Sequence, residues 1–88
     1  MPMWGLGITV VGAAEKQAEL EPQVRRAAEG VAMESFQGGP HEGDLAFTVS
    51  VDAFDEQAAG RLGDELLRRA DLPSQYKVVL AVKQWADA

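Results

Sequence analysis

Along residues 3–11 the side chains alternate in kind. Trp4, Leu6, Ile8 and Val10 fall on one side, and Gly5, Gly7, Thr9 and Val11 on the other. A period of two with β-branched residues, stopped at Gly12, predicts a first strand. From Ala13 to Glu29 the chain turns to Ala, Glu, Gln, Lys and Arg, and Leu20, Val24, Ala27, Ala28 and Val31 recur at the spacing of one helical stripe. Pro22 constrains where that helix begins. In a helix interior it would cost about 3 kcal/mol, whereas in the first turn it costs little. The helix is therefore expected to start near Glu19–Glu21, the alternative being a first helical stretch kinked at Pro22, and Gly30 is expected to end it.

Residues Val31 to Phe36 read as a short second strand, with Val31, Met33 and Ser35 on one face and Ala32, Glu34 and Phe36 on the other. The stretch Gln37–Asp44 (QGGPHEGD) is dense in turn formers and predicts a loop. Leu45, Phe47, Val49 and Val51 then alternate with Ala46, Thr48 and Ser50, the pattern of a sheet with one buried face. Asp52 or Asp55 is placed to cap a second helix running to about Ala70, with Phe54, Ala58, Leu62, Leu66 and Ala70 at i, i+4 spacing. Gly60 and Gly63 lie inside it, each weakening it by roughly 1 kcal/mol relative to alanine. Pro73 marks its end. In the final strand, Tyr76 to Trp85, Val78, Leu80 and Val82 face the core, and Lys77, Val79, Ala81, Lys83 and Trp85 lie opposite.

The order is β-α-β-β-α-β. Right-handed crossovers then favour a ferredoxin-like α+β two-layer sandwich: a four-stranded antiparallel sheet, strands one and three central, with two helices on one face. A three-stranded sheet with residues 31–36 irregular is the alternative. The 88 residues make one domain, 1–88, near the lower end of sizes with a self-sufficient core. Residues 10–14 (VVGAA) resemble the end of a signal peptide, but no basic segment precedes them, and they fit the end of the first strand.

Composition narrows the chemistry. With 47% hydrophobic and 25% charged residues the chain is that of an ordinary globular protein. It has no cysteine, which removes disulfides, thiolate metal sites and thiol nucleophiles and fits a cytoplasmic location. Fourteen acidic residues against eight basic ones give a net charge of −6, which repels phosphate backbones and argues against nucleic-acid binding. No stretch is long and apolar enough to suggest a membrane span.

In such a sandwich the second sheet face is bare. Its expected centre is Gly5, Gly7 and Thr9 with Ala46, Thr48 and Ser50, and its flanks include Phe36, Val79, Ala81 and Trp85. Domains of this topology that bind RNA use aromatics on the central strands, and small residues cannot stack bases. Glycines within a strand often mark close backbone approach. The candidate interface is accordingly Gly5, Gly7, Thr9, Phe36, Thr48, Val79, Ala81 and Trp85. Trp4 belongs to the core.

No constellation carries catalysis, a metal or a cofactor. His41, the only histidine, sits with Glu42 and Asp44 in the expected loop, where three potential ligands fix no coordination geometry. Ser35, Ser50 and Ser74 have no other imidazole to draw on and no Gly-x-Ser-x-Gly elbow. Asp55–Glu56 suits a helix N-terminus, and Asp64–Glu65 a solvated face. Arg25–Arg26 and Arg68–Arg69 are expected in the later turns of the two helices, favoured there by the helix dipole, and would form an anion-binding patch if the helices lie side by side. Gly5-x-Gly7 lies within a strand and is no dinucleotide fingerprint. Nor are hallmarks of related architectures present: there is no Cys-x-x-Cys after strand one, as in heavy-metal-binding domains, and no arginine in a Gly-rich loop there, as in acylphosphatases. The reading that fits best is a non-catalytic protein-interaction or regulatory domain that self-associates through its open sheet face. An acidic inhibitor or immunity-type protein that blocks a basic partner is the first alternative. A small ligand-binding or enzymatic dimer of the α/β-barrel kind is the second.

Overall fold

The computed structural model describes residues 2–84. It contains β1 (Met3–Val10), a short 3-10 turn (Ala14–Lys16), α1 (Gln17–Gly30), β2 (Ser35–His41), β3 (Asp44–Asp52), α2 (Glu56–Ala70) and β4 (Val78–Gln84). The strands form one four-stranded sheet in the order β2-β3-β1-β4, with every pairing antiparallel. This is the ferredoxin-like α+β sandwich expected from the element order, with β1 and β3 central. Leu6, Ile8, Val10, Leu45, Val49 and Val51 from the two central strands are fully buried beneath Leu20, Val24 and Ala28 of α1 and Ala59 and Leu66 of α2. The Trp4 indole N–H donates to the Ala53 carbonyl at 3.1 Å, which secures the end of β3 to β1. At the opposite end Gly12, at φ +74°, stops β1, and its N–H donates to the Asp44 carboxylate at 2.6 Å.

Three local expectations are corrected. The first is the start of α1, which begins at Gln17, so Pro22 is its sixth residue and not part of its first turn. The bond that proline forfeits would have run to the carbonyl of Ala18. Both residues are exposed, so the carbonyl left without that donor is on the solvent side of the helix.

The second is β2, which lies four residues later than expected. The α1 terminus takes Val31 into the core and reverses at Ala32, which adopts a left-handed φ of +57°. The segment Gln37–His41 is strand and not loop; the turn is only Glu42–Gly43, with φ of +50° and +85°. Two successive positive φ values are those of a two-residue I′ hairpin turn, whose twist matches the strands. Gly-Gly-Pro is tolerated because β2 is an edge. A Cβ on Gly38 would collide with the Ala46 carbonyl and lie 2.7 Å from the Cα of Phe47, so the strand can pass there only as glycine. Pro40 lacks an N–H, which matters least on an edge strand.

The third concerns α2. Phe54 precedes the helix and is 78% exposed, and the buried stripe is Ala59, Gly63, Leu66 and Ala70. The cap is Asp55, whose carboxylate accepts the Ala58 N–H at 2.8 Å. Gly63 is where α2 meets β4, and a Cβ there would come within 2.8 Å of Leu80 Cδ2.

Candidate functional site: the open sheet face

Pairing register determines which side chains share the uncovered face. Gly5, Ser50, Ser35 and Lys83 form one row across the sheet, and Gly7, Thr48, Gln37 and Ala81 form the next. Thr9, Ala46 and Val79 form a third. Six of the expected interface residues, Gly5, Gly7, Thr9, Thr48, Val79 and Ala81, thus fall on one sheet face, where Gly5 is buried and the other five are at least partly exposed.

Phe36 does not join them, which corrects the expectation. It pairs with Val49 and faces the helices, its ring 5.5 Å from that of Phe47 and the Arg25 guanidinium 4.5 Å from its centroid. Val31 is buried at the end of α1 and the chain reverses at Ala32, so the alternation expected from Val31 does not run on into β2, whose own pairing turns Phe36 inward. Trp85 lies outside the described residues.

The face is nearly flat at its centre and polar without being charged. Ser35 and Ser50 pair through their hydroxyls at 2.5 Å, and Ser50 is only 4% exposed. Gly7 is not demanded by internal packing, since a Cβ there would meet Ala81 at an ordinary 3.8 Å. Its missing side chain therefore lowers the surface without relieving a clash. Val79, 43% exposed, supplies the apolar flank, and Lys83 the charge in the Gly5 row. Beyond Gln37, a Cβ on Gly39 would come within 3.8 Å of the Gln17 side chain at the start of α1.

The side chains with catalytic potential are not gathered on this face. His41 stands at the far end of β2, its Nε2 3.2 Å from Glu42, with both side chains exposed. It is six residues from Ser35, about 20 Å of extended strand, so the imidazole of His41 is out of reach of the serine pair. Among the described residues no group of three or more His, Asp or Glu side chains is placed to hold a metal ion. No described helix is long and apolar enough to cross a membrane.

The arginine pairs are divided by the structure. Arg25 is held by Glu21 at 3.7 Å and by Phe36, whereas Arg26 has no carboxylate within ion-pair distance among the described residues. Neither lies in the last turn of α1, so the dipole argument does not apply to them. Arg68 and Arg69 do lie in the last turn of α2, and both bind Glu65. The hydrogen bonds from Arg68 hold the Glu65 carboxyl below its ordinary range, against a smaller opposing effect of burial, with Arg69 adding to the lowering.

These features define a class of fold and not yet a particular activity. No protein-family model and no curated protein matches the chain. Two solved structures similar to the chain are de novo designed proteins. One, LFR1 1, is a designed ferredoxin fold determined by solution NMR; it has a TM-score of 0.65 and 14% identity over 100% of this chain and 90% of its own. Another, Foldit4, has a TM-score of 0.58 and 17% identity over 94% of this chain and 98% of its own. At these identities the likeness is one of fold, which hosts many unrelated functions.

Proposed function

We propose that the protein is a non-catalytic interaction domain that self-associates by stacking its open sheet face on that of a second copy. The observation that carries this reading is that the face is complementary to itself. A twofold axis running along the strands between β1 and β3 lays each row on the same row of the second copy, with β1 over β3 and β4 over β2. Gly7 then meets Thr48 of the second copy, Thr9 meets Ala46 and Ala81 meets Gln37, while Gly5 and Ser50 are already buried within each copy. In every case a smaller side chain lies against a larger one, which is how stacked sheets interdigitate.

Area supports an interface of modest strength. Strands of this length rise about 24 Å and four of them span about 19 Å. Two such faces would bury a total of about 1,000 Å², the lower bound for a specific interface. The dimer should therefore be concentration-dependent. Each copy carries a charge of −6, so added salt should strengthen association by screening the repulsion between copies.

Light scattering across a concentration series tests the reading, with Thr48→Arg as the disrupting variant. Thr48 is half-buried at the seam opposite Gly7, so arginine fits the free monomer but blocks the stack. A wild type that dimerises and a folded Thr48→Arg monomer are expected. A wild type that remains monomeric at every concentration and salt refutes self-association.

A further inference from the structure

The two helices create a second surface, unrelated to the sheet face. Ala27 of α1 and Ala70 of α2 are both buried where the helices meet, and their short side chains leave a groove of about 380 Å³. Gln23 and Arg26 wall it on one side and Arg69 on the other, with Asp71 also on its lining. The Gln23 amide donates to the Ala70 carbonyl at 3.2 Å, which satisfies one of the free acceptors at the end of α2.

The positive charge in this groove exceeds what its neighbours neutralise. Arg68 and Arg69 share the single carboxylate of Glu65: Arg68 uses both of its oxygens, at 3.1 and 2.5 Å, and Arg69 Nε reaches one at 2.8 Å. One guanidinium charge is left over. The terminal nitrogens of Arg69 have no acceptor among the described residues; they lie over Gly30, where a Cβ would come within 3.2 Å of Nη1. Across the groove Arg26 has no ion-pair partner among the described residues, and the end of α1 does not account for it. Within the lining Asp71 and the carbonyl end of α2 oppose the two arginines, without a full second carboxylate. Two guanidiniums with unengaged N–H groups, facing a common groove with a floor of methyl groups, are suited to receive the oxygens of an oxyanion in the bidentate manner.

We infer that the groove between α1 and α2 binds an oxyanion, the phosphate or carboxylate group of a small molecule, between Arg26 and Arg69. Asp71 limits how much negative charge the site accepts, so a singly charged group is held better than a doubly charged one.

The test follows the arginine Nε–H resonances of the full chain by NMR during titration with inorganic phosphate and, separately, with acetate, at ionic strength held constant with chloride. Arg61 is the internal control, being exposed on α2, outside the groove and without an ion-pair partner among the described residues. Saturable shifts at Arg26 and Arg69 with Arg61 unmoved are expected, and Arg26→Gln should weaken the response at Arg69 by tenfold or more. Saturation by phosphate alone assigns a phosphate source, and saturation by acetate a carboxylate. If Arg61 moves in step with the other two, or neither probe gives a saturable shift, the inference is overturned. Arg26 is exposed, so the variant should retain the wild-type circular dichroism spectrum.

Discussion

Replacing Gly60 and Gly63 of α2 with alanine, one at a time, separates what a helix prefers from what its packing permits. Both sit in the helix interior, and on conformational grounds each substitution should stabilise α2 by roughly 1 kcal/mol. At Gly60 a Cβ would meet nothing within 4 Å, so the full gain should survive. At Gly63 the same Cβ would stand 2.8 Å from Leu80 Cδ2 and 3.0 Å from its Cδ1. Overpacking of this kind costs about 1–3 kcal/mol. Leu80 is only partly buried and contacts the site through its flexible end, so the cost should fall in the lower part of that range. The net effect at Gly63 is then a loss of about 0–1 kcal/mol. Urea unfolding with a common m-value measures both. A difference of 1 kcal/mol corresponds to about 4–8 °C in a domain of this size, so thermal unfolding gives an independent reading. Combining Gly63→Ala with Leu80→Val, which shortens the opposing side chain, should recover part of the loss in a double-mutant cycle. If Gly63→Ala stabilises the protein as much as Gly60→Ala, the close approach of α2 to β4 is not as described.

Three further outcomes follow from the same geometry. Asp55→Ala removes the carboxylate that accepts the Ala58 N–H and should cost about 1 kcal/mol by urea unfolding, while Asp55→Asn should lose much less. Gly38→Ala would drive a Cβ into the backbone of β3, so it should destabilise by at least 2 kcal/mol or unpair the edge, which amide exchange along Ser35–His41 would reveal. The folded state lowers the pKa of Glu65, chiefly through Arg68, so this group's contribution to stability is present above its unfolded pKa and is lost as pH falls through the folded value. A side-chain carboxyl titration should place Glu65 below its ordinary midpoint, and Arg68→Ala should move it back up.

The candidate surfaces differ in how they arise. The sheet face depends on register, because a shift of one residue in any strand would exchange its inner and outer side chains. Its centre consists of small, uncharged side chains. The helix groove depends instead on two alanines at the contact and on arginines from different helices. Neither surface draws on His41, which the hairpin holds at the edge of the sheet.

Where burial follows period, the chain was legible before its structure. The alternation in β1, β3 and β4 places Leu6, Phe47 and Leu80 on the helix side regardless of what surrounds them, because successive side chains in a strand must point to opposite faces. Element order and the handedness of crossovers then left few topologies, and the central positions of β1 and β3 followed. Six interface candidates could be named for the same reason. The remainder depended on contacts between distant residues. Gln37–His41 is rich in turn formers, but pairing with β3 provides backbone bonds that outweigh that preference; the reversal at Ala32 separates Val31 from β2, so Phe36 takes the other face. Pro22 is carried within α1 because packing of Leu20, Val24 and Ala28 against the sheet outweighs one lost hydrogen bond. The placing of Arg26 and Arg69 along one groove belongs to the same class, since no local pattern records which helices become neighbours. Sequence periodicity determined which side each residue of the regular strands faces; only tertiary packing decided where the irregular ones lie, because their local preferences are weaker than the contacts that override them.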